Sequence, residues 1–220
     1  MTVSTDPGAA ATVAAPGGGN PGRNSQSWLA VAALILGLAL GVAAGLLIPR
    51  FTHPGTDSVE AGFLRDMSTH HAQAVEMSMI AHANSTNPRI VTLASDIALT
   101  QHGQIGYMQA WLRDWDLSPT GTEAPMAWMP DSAGSVVNGL MPGMATPEQM
   151  DSLRKATGKQ VDVQFLTLMR AHHLGGIHMA QEAIDLSDNE NVDWLATTMV
   201  SGQQSELALI DTLLKEVQAS

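Results

Sequence analysis

The sequence predicts an all-α protein, a four-helix bundle made of two repeated helical hairpins behind an N-terminal transmembrane helix. Three observations lead there. An uncharged apolar run lies near the N-terminus, a set of residues recurs at a single offset of 102 positions, and the apolar residues of each repeated segment keep helical spacing. At 220 residues the chain is long enough for one domain with a real core plus appendages.

Residues 1–27 are built from Gly, Ala, Pro, Ser and Asn without apolar periodicity, so they are expected to form a disordered tail. Residues 28–49 read WLAVAALILGLALGVAAGLLIP, 22 positions without a charge. As a helix this is roughly 33 Å, enough to span a bilayer. A cleaved signal peptide would have an apolar stretch of about 7–15 residues and a small-residue cleavage site close behind. Here the run is longer and leads into Ile48, Pro49 and Arg50, which predicts an uncleaved single-pass anchor. Arg23 and Arg50 flank it on opposite sides and specify orientation weakly. The N-terminus is placed in the cytoplasm and the soluble domain outside. Residues 50–57, with His53, Pro54 and Gly55, form a linker.

The bundle domain is expected over 58–218. Phe63, Leu64, Met67, His70, His71 and Met77 recur as Phe165, Leu166, Met169, His172, His173 and Met179. The same offset carries Ala94, Ile97, Gln101, Ile105 and Leu112 onto Ala196, Met199, Gln203, Leu207 and Leu214. Two hairpins follow, 58–84 with 88–115 and 160–186 with 191–217, closing into the bundle. Asn87 and Pro88 are a cap and first-turn pair. Thr146, Pro147 and Gln149 open a short helix with a capping box, and Ser187 to Asn191 supplies a polar turn. Residues 116–145 are a crossover rich in Pro, Gly and Met with no long element.

Ten basic against 21 acidic residues give a net charge of −11, which argues against nucleic acid as a partner. Cysteine is absent, removing disulfides, thiolate metal sites and cysteine nucleophiles, whereas there are 13 methionines and 8 histidines. In each copy Met, His, His and Met at relative positions 0, 3, 4 and 10 fall on the helix face directed into the bundle. Thioethers favour copper(I), imidazole accepts copper in either oxidation state, and hard ions would want oxygens that this face lacks. The candidate ligands are therefore Met67, His70, His71, Met77, Met169, His172, His173 and Met179, forming one shared site or two, with Cu(I) favoured over Cu(II).

A single inward methionine is ordinary core filling and a single inward histidine a hydrogen-bonded core residue. Four histidines in a repeated pair are harder to reduce to packing, because imidazoles are costly to bury unpartnered. His178 falls opposite the core face, and His82 and His102 at the margins of their stripes, all three read as surface. Met126, Met129, Met141 and Met144 form two Met-x-x-Met pairs in the crossover, and either a soft-metal relay or packing of the loop over the bundle accounts for them. Imidazole must be deprotonated to bind a metal and a thioether does not titrate. A Met-dominated copper(I) site is thus expected to hold metal at about pH 5 and a His-dominated site to lose it.

The pattern FLxxMxxHHxxAxxM, present twice in near form, and the connector MPGMATPEQMDSLRKATG resemble domain-of-unknown-function family 305, over roughly 57–218. The resemblance implies a ferritin-like fold, a secreted or membrane-anchored bacterial protein and, from copper-binding periplasmic members, the same eight ligands. A ferritin-like fold raises a di-iron site, which needs Glu-x-x-His. Neither histidine pair has a glutamate three residues before it and Glu76 faces away, so a carboxylate-bridged oxygenase is rejected. No nucleophile, base and orienter set emerges either, and no enzyme is predicted. The leading expectation is a membrane-anchored, extracytoplasmic copper-binding protein that sequesters, buffers or transfers the ion to a recipient. The alternative is a non-metal helical interaction module docking on a membrane protein partner.

Overall fold

The computed structural model describes residue 2 and residues 22–219 apart from 131 and 133. Among the described residues six helices follow in order, α1 (Gly22–Thr52), α2 (Val59–Asn84), α3 (Pro88–Asp114), α4 (Pro147–Lys155), α5 (Lys159–Leu186) and α6 (Glu190–Ala219). Among the described residues there is no strand, only an isolated bridge between Val137 and Leu140. The chain divides into two compact units, Met1–Thr52 and His53–Ser220.

In the first unit, α1 contains the 20-residue stretch Ser27–Leu46 with a mean hydropathy of 2.5, exposed along its length. It is long and apolar enough to cross a membrane, a property that anchors and signal sequences share. Most of the expected tail lies outside the described residues. The helix begins at Gly22, inside that tail, and runs to Thr52, inside the expected linker. Once the apolar segment has nucleated a helix, each flanking residue adds a hydrogen bond at little further cost.

The second unit is the bundle, and its helix ends lie close to the positions the sequence marks. Ser58 caps α2 by accepting from the Ala61 amide, Asn87 caps α3 by accepting from the Arg89 amide, and Thr146 and Gln149 form the reciprocal capping box of α4. Asn189 Oδ1 accepts from the amides of Asn191 and Val192 at the start of α6. Helix α2 packs on α3, α5 on α6, and α2 against α5, with α4 touching both central helices.

The core falls into two clusters. One holds Met77, Ile90, Ile97, Phe165, Met169 and Ile210; the other holds Phe63, Met67, Met108, Met179, Leu195 and Met199. The first half of α2 thus shares a cluster with the second half of α5, so the two helices run antiparallel. Their histidine pairs meet between the clusters.

The crossover is laid along α2 by side chains one turn apart. Asp66 Oδ2 accepts from the Met126 amide at 2.7 Å and from Trp128 Nε1 at 2.9 Å. His70 Nε2 donates to the Pro142 carbonyl at 3.0 Å. Gln73 binds both the amide and the carbonyl of Ala145. Positions 66, 70 and 73 form one stripe of the helix, while Trp128 stands edge-on to Phe63 with ring centroids 5.7 Å apart. Met126, Met129 and Met141 are buried and Met144 is half-buried, all packed in or against the cluster around Phe63. The loop thus closes that end of the core.

Candidate metal centre

The repeat and the antiparallel pairing of α2 with α5 bring the histidines of both copies into one layer. All four are buried. His70 and His172 stack with ring centroids 3.7 Å apart and a 35° tilt, and His71 lies 6.4 Å from His70. The methionines divide instead, Met67 with Met179 on one side of the layer and Met77 with Met169 on the other, each fully buried. His82, His102 and His178 are exposed, as their helix faces require.

Three of the imidazoles are held in the same way. His70 donates through Nε2 to the Pro142 carbonyl, His71 through Nε2 to Gln104 Oε1 at 2.8 Å, and His173 through Nε2 to Glu206 Oε2 at 2.6 Å. With the proton fixed on Nε2, each ring turns an unprotonated Nδ1 into the core, and all three Nδ1 atoms lack a partner. His172 has no hydrogen bond at either nitrogen. Gln101 and Gln203, also buried and equivalent in the two copies, have unpartnered amides. Such a concentration of unsatisfied polar atoms in a core is costly unless something binds them.

Three of the four imidazoles are electrostatically poised to stay neutral. Burial lowers the pKa of His70 to about 4, against the opposing effect of the Pro142 carbonyl. Burial, and then the neighbouring His70, bring His71 to about 3. His172 is pushed well below the usual imidazole value, by burial first and by His70 next. Lone pairs free of protons at neutral pH are what a metal ligand needs. As the side chains stand, no three His, Cys, Asp or Glu groups among the described residues converge on one point. Two of the rings, His70 and His172, are stacked.

The residues that orient the rings, Pro142, Gln104 and Glu206, are absent from the ligand set read from the sequence. Gln104 and Glu206 stand at the same offset of 102 as the histidines, so extending the repeat past its identical pairs would have found them. Pro142 carries no such signal, because it contributes a backbone carbonyl from an irregular loop.

A profile of the family described as a domain of unknown function, DUF305, matches residues 60–214. The chain belongs to the DUF305 family. A DUF305 protein from Streptomyces coelicolor is 43% identical with a TM-score of 0.69, covering 74% of this chain and 96% of that one. A DUF305 fragment from Deinococcus radiodurans is 28% identical with a TM-score of 0.60, covering 72% and 96%. The fold is shared by CopM in its Cu(II)-bound form, at 20% identity and a TM-score of 0.55, covering 72% of this chain and 97% of that one. No curated protein matches the chain.

Proposed function

We propose that this DUF305 protein is a membrane-anchored, extracytoplasmic copper-binding protein that sequesters, buffers or transfers copper through Met67, His70, His71, Met77, Met169, His172, His173 and Met179. One observation carries the reading. Three imidazoles are pinned at Nε2 by acceptors that leave Nδ1 bare, and a fourth is bare at both nitrogens, all within one buried layer. A ring whose outer nitrogen is fixed by a carbonyl or carboxylate is the arrangement by which proteins orient metal-ligating histidines. The buried thioethers on either side add soft donors, which favour copper(I), without adding charge. Copper is here the cargo. CopM, which shares the fold, has structures in Cu(I)-, Cu(II)- and Ag-bound forms. The crossover methionines Met126, Met129, Met141 and Met144 border the same core and serve as secondary donors near the site. Helix α1, with its 20-residue apolar span, acts as the uncleaved anchor.

The runner-up is a non-metal module that docks on a membrane protein. It is favoured by Tyr107 and Trp194, each 53% exposed, which meet edge-to-face with ring centroids 5.9 Å apart beside Trp111. Copper titration of the full chain in detergent, read by native mass spectrometry, separates the two. The wild type is expected to hold copper and the H70A/H71A/H172A/H173A variant to lose it. Equal retention by both proteins would overturn the copper reading.

A further inference from the structure

The offset that relates His71 to His173 also relates Gln104 to Glu206, and both pairs make the same contact with different chemistry. His71 faces a neutral amide oxygen at 2.8 Å, whereas His173 faces a carboxylate oxygen at 2.6 Å. The amide is buried, and the Glu206 side chain keeps 22% exposure, with its carboxylate turned onto a fully buried ring. Among the described residues, Glu206 is the one formally charged group hydrogen-bonded to any of the four imidazoles. The duplication has kept the geometry in both halves and put a charge in one.

We propose that Glu206 is a positioning residue that sets the net charge of the histidine layer, matching it to a monovalent soft ion, while Gln104 supplies the same orientation without charge. The inference rests on the copper-binding reading of the layer. Imidazole and thioether ligands are neutral, so an ion bound by them brings its whole charge into the core. One carboxylate beside the layer balances a single positive charge and leaves a divalent ion with a residual one. Residual charge in a poorly solvated interior is penalised steeply. The carboxylate acts through His173, fixing its Nε2 proton and making Nδ1 a stronger donor.

Glu206→Gln preserves volume and recreates in the second half the contact already present at Gln104, so the fold should tolerate it. Gln104→Glu gives the layer a second carboxylate. The full chain in detergent, as wild type and each variant, is titrated against Ag(I) and Cu(II) by chelator competition, with circular dichroism to verify folding. Glu206→Gln is expected to weaken Ag(I) binding about 10- to 100-fold and Cu(II) binding by more. Gln104→Glu is expected to raise the ratio of Cu(II) to Ag(I) affinity about tenfold. A purely structural role would move both ions together. Ratios within about twofold of wild type in the folded variants would overturn the charge-setting role and leave the copper reading standing. A wild type that binds neither ion would overturn both.

Discussion

His172 is buried with both ring nitrogens unpartnered, whereas the other three imidazoles each have one hydrogen bond. An unsatisfied buried polar group costs about 1–3 kcal/mol, and leucine fills a similar volume without that cost. His172→Leu is therefore expected to raise the stability of the metal-free protein by about 1 kcal/mol or more, measured as the midpoint of urea unfolding. It should weaken copper binding at the same time, because it deletes the imidazole with both nitrogens bare. A metal-free protein destabilised by this change would mean that His172 has a packing or hydrogen-bonding role in the apo state. The two expected effects have opposite signs, which is the mark of a residue kept for binding at the expense of stability.

At the scale of elements, the site depends on how closely the crossover approaches α5. A Cβ built on Gly175 would land on the Pro142 carbonyl, and one on Gly143, whose φ is +78°, would land on the Ala171 carbonyl. These are backbone atoms and cannot swing aside. Gly175→Ala must lift the loop from the helix and break the His70–Pro142 hydrogen bond that orients the ring. The expected destabilisation is about 1–3 kcal/mol in urea unfolding, accompanied by weaker copper binding. Gly103→Ala is the control, since it lies on the exposed face of α3 with nothing within 4 Å of the added atom. There alanine should stabilise the helix by about 0.5–1 kcal/mol. If both substitutions behaved alike, the close approach at Gly175 would not be a constraint on the fold.

For the whole molecule, three of the buried histidines, His70, His71 and His172, link stability to pH. Their folded pKa values lie below the unfolded value of about 6.5, at about 4 for His70 and about 3 for His71, with His172 also lowered. Between those values the unfolded chain takes up protons that the folded one refuses. Stability is thus complete above about pH 6.5 and lost progressively as the pH falls toward the folded values. Urea unfolding of the metal-free protein at about pH 7.5, 6 and 5 should show a falling midpoint with little change in slope. A flat profile would mean that the histidine layer is solvated. The same shifts change what acid does to bound metal. While the protein stays folded, His70, His71 and His172 remain largely neutral at about pH 5, so acid is expected to weaken the fold before it protonates these three rings. Metal loss at that pH does not by itself distinguish a Met-dominated site from a His-dominated one.

The helices were legible because their signals are local: Asn87 and Thr146 as caps, a 3.6-residue stripe through Phe63, Met67, His70 and Met77, and an uncharged run for α1. The repeat was legible because one offset serves many pairs, and it determined that two equivalent His-His pairs exist and face inward. Only the tertiary structure decided that α2 and α5 cross antiparallel, so that the histidines merge into one layer while the methionines split to either side of it. It also decided which core cluster the crossover methionines join and that the Pro142 carbonyl orients His70. The physical reason is range. Periodicity and capping are written within a turn or two of chain, whereas the His70–Pro142 contact joins residues 72 positions apart, and the His71–Gln104 and His173–Glu206 contacts residues 33 apart. Those partners are selected by how helices and loop pack, and a loop carbonyl has no side-chain identity for a sequence pattern to register.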